Sequence, residues 1–117
     1  DNNTSELFAN FDKLHFIHSI AGVDFISELP ITVAANTNYH LKIVFDSARK
    51  VSIFVNGIQY NITSTSGSTG TAVTAGTTQS GEMTDVSLIP YIGIEAGATA
   101  TSSLNVYYQS INRVLFK

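Results

Sequence analysis

A chain of 117 residues, 44% of them hydrophobic, is long enough to form one domain with its own core. It has no cysteine, which excludes a disulfide scaffold and a thiolate metal site and fits folding in a reducing cytosol. The net charge is −3, and residues 51–112 contain no lysine or arginine, their only charges being Glu82, Asp85 and Glu95, so half the chain cannot supply the phosphate contacts that nucleic-acid binding needs.

The N-terminal DNNTSELFANF lacks the basic start and apolar middle of a signal peptide. It also lacks an initiator methionine, so we expect a chain that is processed, truncated or begun at an internal point. Residues 1–13 read as polar and irregular. KLHFIHS at 13–19 alternates as a strand, with Leu14, Phe16 and His18 on one side. VDFIS at 23–27 follows Ala21-Gly22 and reads as the returning arm of a hairpin. Pro30 is expected to end that run or to mark an edge, because it has no N–H to give to a ladder. NYHLKIVFD at 38–46 is the cleanest strand: Tyr39, Leu41, Ile43 and Phe45 face one way, and His40, Lys42 and Val44 the other. DSARK at 46–50 makes a turn in which Asp46 and Ser47 can accept local backbone amides.

IFVNGIQY at 53–60 carries the strongest local signal in the chain. Asn-Gly between alternating apolar runs predicts a two-residue type I′ turn at Asn56 and Gly57, since both central residues need positive φ. That turn sets Val55 opposite Ile58, Ile53 opposite Tyr60 and Val51 opposite Ile62, all on one face. A one-residue slip would turn this set to water. With 38–46, the hairpin predicts a three-stranded antiparallel meander.

TSTSGSTGTAVTAGTTQSG at 63–81 carries no charged side chain and is too long for an ordinary loop. It is read as a flexible Thr/Ser/Gly loop: a mobile arm, a partner-binding loop, or a loop holding a short strand at TAVT. DVSLIPYIGIEAG at 85–97 resumes strand character and, being apolar on both sides, suits a well-covered position. SLNVYYQSINRVLF at 103–116 alternates through Leu104, Val106 and Tyr108, then blurs near 109–112 as a bulge would make it. Apolar residues nowhere recur at helical spacing, and no apolar run reaches the roughly 18–20 residues that a membrane-spanning helix needs. The expected architecture is an all-β sandwich forming a single domain over 1–117.

NTNYHLKIVFDSARKVSIFVNGIQY resembles the core hairpins of the concanavalin A-like (LamG-like) jelly-roll superfamily. There a strand with an aromatic-His-Leu start leads into Asp-x-x-Arg-Lys and then into Phe-x-Asn-Gly. LIPYIGIEAGATATSSLNVYYQSINR resembles the closing strands of a variant seen in tailed-phage virion proteins, in capsid decoration and tail-associated subunits. The two matches cover 36–62 and 86–114. The resemblance implies an antiparallel jelly-roll sandwich. Full domains of the superfamily are longer, and the resemblance implies that the opening strands are missing here. Either the sandwich is reduced, or another segment or a neighbouring subunit completes it.

Catalytic and metal chemistry find little support. The glucanase branch of that superfamily uses Glu-x-Asp-x-x-Glu, whose alternation brings two acids to one face. This motif is absent, and Glu82 with Asp85 is the only close acid pair among Glu28, Glu82 and Glu95; it reads as a solvated turn. His15 and His18 fall on opposite faces of a strand, and His40 lies on a polar face, so none is read as a ligand and all three are read as ordinary surface or half-buried histidines. Phosphate-loop and Ser/His/Asp signatures are missing. Lectins of the superfamily hold calcium with an Asp/Asn cluster, for which Asp46 and Asn56 qualify by residue type only; a turn cap and positive φ already account for them. Tyr39 and Tyr60 align with core faces. Tyr107 is the plausible exposed ring for a ligand or subunit contact. Asn2, Asn3 and Asn61 begin Asn-x-Ser/Thr sequons, which chance explains in a chain rich in Thr and Asn.

The expected function is therefore non-enzymatic, with no catalytic residue, metal or cofactor. The resemblance implies a virion structural protein assembled in the host cytoplasm, a capsid decoration or cement subunit. Its partners would be the major capsid protein or other virion subunits, and copies of itself in a homo-oligomer such as a trimer. The alternative is a glycan-binding, lectin-like module of a tail fibre or secreted protein. Nucleic acid and membrane are not expected partners.

Overall fold

The computed structural model describes residues 12–84 and 103–112, with residues 5–10 described as backbone. The chain divides into two compact units, Asp1–Ser87 and Leu88–Lys117. The first is all-β, with no helix among the described residues. Its strands are β1 (Ser5–Asn10), β2 (Lys13–Ile20), β3 (Val23–Thr32), β4 (Leu41–Phe45), β5 (Val51–Val55), β6 (Ile58–Tyr60) and β7 (Thr71–Ala72). They form a four-stranded sheet in the order β1-β2-β3-β7 and a three-stranded sheet in the order β4-β5-β6. All neighbours pair antiparallel except β3 and β7.

Two tight hairpins set the registers. Asn56 and Gly57 have φ of 50° and 80°, the pair of positive values that defines a type I′ turn. Val55 then faces Ile58 and Ile53 faces Tyr60, as the alternation requires. Ala21 and Gly22 repeat the geometry at φ of 51° and 79° between β2 and β3. In the meander, Leu41 pairs with Val55, Ile43 with Ile53 and Phe45 with Val51.

Several elements depart from the sequence reading. Residues 5–10, read as irregular, form β1 and pair with β2 from Ser5↔His18 to Asn10↔Lys13. The edge of β2 satisfies the backbone groups of SELFAN, a segment without clear alternation, so a strand forms that its local pattern does not announce. The strand read at 23–27 runs on through Pro30 to Thr32. Pro30 lies where the register shifts between Lys13 and His15, and a bulge is the place in a ladder that spares the missing N–H. The pairing of Val51 with Ile62 does not form. Residues 78–80 take that place: the Ile62 amide donates to the Thr78 carbonyl at 3.0 Å, and the Ser80 amide to the Val51 carbonyl at 3.1 Å.

The Thr/Ser/Gly segment is anchored on both sheets. Ser66 bridges to Phe25, and the Gly67 amide donates to the Asp24 carbonyl. β7, inside the TAVT stretch, pairs with Ser27 and Glu28. Ala75 bridges to Tyr60, and the Gly76 amide donates to the Gln59 carbonyl. Side chains add to this: the Thr63 amide donates to Ser27 Oγ at 2.9 Å, and the Val51 amide to Ser80 Oγ at 2.9 Å. Of the options read at 63–81, the structure has the loop with a short strand.

Alternation explains the core. Leu14 and Phe16 of β2 and Leu29 of β3 pack in one buried cluster with Val51, Ile53 and Val55 of β5, Tyr60, Ile62 and Met83. The two sheets thus share a core in a sandwich-like arrangement. Phe16, Leu29 and Ile53 are fully buried, each stabilising the fold by roughly 1.5–3 kcal/mol of transfer free energy.

In the unit Leu88–Lys117, residues 103–112 form no strand and are all exposed. The alternation of Leu104, Val106 and Tyr108 is a necessary pattern for a strand but not a sufficient one. A strand also needs a ladder partner for its N–H and C=O groups. The strand read at 85–97 and the end of the one read at 103–116 lie outside the described residues.

Candidate functional site

The turn residues Asp46 and Asn56 are both held by several hydrogen bonds. Asp46 accepts the Ala48 amide at 2.8 Å and the Lys50 amide at 3.0 Å through Oδ1. Its Oδ2 accepts from Gln79 Nε2 at 3.0 Å, and the same nitrogen donates to Ser52 Oγ at 2.9 Å. The Lys50 amide, then Gln79, hold the Asp46 carboxyl below its usual range. Asp46 thereby ties the β4–β5 turn to the Thr/Ser/Gly segment. Arg49, at φ 58°, extends to the Thr84 carbonyl and pairs with Glu82, so the carboxylate of Glu82 is committed to a structural contact. Asp85, its possible partner as an acid pair, lies outside the described residues.

Asn56 does more than supply positive φ. Its amide donates to the His40 carbonyl at 2.8 Å, and its Oδ1 accepts the His40 amide at 2.9 Å. The side chain thus extends the β4–β5 ladder by one step beyond Leu41↔Val55. The register reasoning foresaw the turn but not this clamp.

His15 and His18 fall on different faces, as a three-residue step on a strand demands. His15 lies 3.4 Å from Glu28, which also pairs with Lys13 at 2.6 Å. That pairing holds the Glu28 carboxyl low and the Lys13 ammonium high. Gly70 lies against this group: a Cβ there would come within 3.1 Å of Glu28 and His15. His18, 1% exposed, stacks between Phe16 and Phe25 with ring centroids 5.5 and 4.8 Å away. Its Nδ1 has no hydrogen-bond partner among the described residues, and burial pushes its pKa down to about 4. His15 and His18, read as surface or half-buried, are both buried instead; the place of His18 in the Leu14-Phe16-His18 alternation was the signal for its burial. Among the described residues, no three His, Cys, Asp or Glu side chains converge to hold a metal ion, and no helix is long and apolar enough to cross a membrane.

Tyr60 is buried, and Tyr39 is half-buried with its hydroxyl accepting the Ala34 amide at 2.9 Å. Tyr107 is 80% exposed, and Tyr108, read as facing the other way, is exposed as well. Asn61 is occupied internally: its Oδ1 accepts the Thr78 amide at 3.0 Å. Tyr91 and the sequon residues Asn2 and Asn3 lie outside the described residues.

Part of the apolar surface remains uncovered. Leu41, Ile43 and Ile58 share the face of Val51, Ile53 and Val55 by register, yet are 44%, 38% and 51% exposed. Val55, between Leu41 and Ile58 in one cross-strand row, is buried. The apolar face of the three-stranded sheet therefore continues past the core on both flanking strands. The sequence reading assigned these residues to the core face and did not foresee their exposure. No protein-family model, curated protein or solved structure matches this chain.

Proposed function

We propose that the chain is a non-enzymatic structural subunit of a virion, a capsid decoration or cement protein of the jelly-roll type that its hairpins resemble. The observation that supports this reading is the set of exposed aliphatic side chains Leu41, Ile43 and Ile58 on the two flanking strands, which continue a buried face into solvent. An aliphatic face of this kind suits contact with another subunit. Lys42 lies on the opposite face, its ammonium 5.2 Å from the Phe54 ring centroid, so β4 brings no charge to the face of Leu41 and Ile43. Self-association into a symmetric homo-oligomer and attachment to a shell of capsid protein belong to the same proposal. The test is direct: the purified chain should bind assembled empty shells and raise their melting temperature. Absence of binding at micromolar protein refutes the proposal.

A second reading has its own observation. The exposed rings of Tyr107 and Tyr108 offer flat apolar faces of the kind that stack on sugars. A glycan-binding module would give a saturable signal on a glycan array that Tyr107→Ala abolishes.

A further inference from the structure

Asn56-Gly57 is the only Asn-Gly pair in the chain. This dipeptide is chemically labile, because glycine has no side chain to hinder its amide nitrogen from attacking the neighbouring carboxamide. In that reaction the Gly57 nitrogen loses its proton and bonds to Asn56 Cγ. The Cγ–Nδ2 bond breaks and ammonia leaves, giving a cyclic imide. Water then opens the imide at either carbonyl, giving aspartate or isoaspartate. No oxidant or reductant takes part.

We propose that Asn56 is a latent deamidation site, and that its clamp on the His40 backbone is the gate that keeps it closed. Two observations carry this. The φ pair of 50° and 80° fixes a type I′ turn, in which the first central residue has ψ near about +30°. That ψ places the Gly57 nitrogen nearly anti to the Asn56 side chain across the Cα–C bond, so the five-membered ring cannot close. The carboxamide is also held away, since Oδ1 accepts the His40 amide at 2.9 Å while the Asn56 amide donates to the His40 carbonyl at 2.8 Å. Ring closure requires the turn to open and the His40 bond to break together. Both residues are exposed, so water reaches the imide once it forms.

The two products differ in consequence. Aspartate keeps an oxygen that can accept the His40 amide. Isoaspartate adds a carbon to the main chain of a two-residue turn and disrupts the Val55↔Ile58 register. The modification therefore releases the start of β4, next to Leu41 on the exposed apolar face.

The experiment follows the Asn56 peptide by mass spectrometry after incubation of the full chain at mildly alkaline pH. The folded protein should deamidate at least about tenfold more slowly than the same chain in guanidinium chloride, because the reactive conformer is a minor open state. His40→Pro removes the donating N–H and keeps the carbonyl. In native buffer it should deamidate severalfold faster than the parent, with far-UV circular dichroism retained. His40→Ala keeps the N–H and should react at the parental rate. Equal rates in folded and denatured wild type would overturn the proposal without recourse to any variant. Acceleration in His40→Ala as large as in His40→Pro would overturn the role of the clamp.

Discussion

Lowering the pH from 7.5 to 5 protonates His18 in the unfolded chain but leaves it neutral in the folded one. Its folded pKa is about 4, against an ordinary value of 6.5. The shift is that of a base made harder to charge, so its stabilising contribution is complete above 6.5. That contribution is lost as pH falls toward 4 and is constant below. The full loss is about 3 kcal/mol, of which about 2 kcal/mol has gone by pH 5. Two effects compete at the site. The flanking rings of Phe16 and Phe25 attract a cation, by up to about 2 kcal/mol when desolvated. Removing an imidazolium from water, with Nδ1 lacking a protein acceptor among the described residues, costs more than that. Desolvation therefore wins, and the ring stays neutral.

The window also separates His18 from the acids. Glu28 and Asp46 have lowered pKa values, starting from 4.5 and 3.8, so their contributions are present above those values and are lost only at lower pH. The assay is urea unfolding of wild type and His18→Phe at the two pH values. His15 and His40 are present in both proteins, so the comparison isolates His18. The wild type should lose about 2 kcal/mol more than the variant between pH 7.5 and 5. An equal loss in both, or a folded-state His18 titrating near 6.5 by NMR, would refute the desolvation reasoning.

Gly57→Val places a β-branched residue at φ 80° and should cost at least about 1–2 kcal/mol; an unchanged denaturation midpoint would mean that the turn does not need its glycine. Gly76→Ala drives a Cβ into the Asn61 side chain, which is itself held by the Thr78 amide. The clash should lower stability by about 1–3 kcal/mol, and shortening the obstacle with Asn61→Ser in the same chain should recover part of the loss.

Local chemistry decided how much of the fold could be read in advance. The Asn56-Gly57 turn and its registers were legible because a turn type and a period-two pattern demanded the same alignment. β2 was legible from Leu14, Phe16 and His18 for the same reason. β1 was not, because its place depends on the free edge of β2, a feature of tertiary structure. Over 103–112 the reverse held: the alternation was present but no strand forms, since pattern alone supplies no ladder partner. The Asn56 clamp on His40 was illegible in principle, as it joins a side chain to a backbone sixteen residues away. The exposure of Leu41, Ile43 and Ile58 was hidden too. Register tells which face a residue shares, but not how far the covering sheet extends over it.

The Thr/Ser/Gly segment links these points. Composition without charge and rich in Gly, Ser and Thr usually marks a loose linker. Here its backbone meets β3 on one side and β6 on the other, and it runs between Val51 and Ile62. Charged side chains in such a passage would each need a partner or a desolvation cost. Hydroxyls need only one nearby amide, as Ser27 finds in Thr63 and Ser80 in Val51. Small residues also permit close approach, which Gly70 uses beside His15 and Gly76 beside Asn61. The absence of charge thus suits a segment that lies along β3 in one sheet and β6 in the other. The shared core is filled by other side chains, and the aliphatic surplus at the β4 and β6 flanks lies outside it. It is this surplus, rather than any reactive group, that the proposed contact with another subunit would cover.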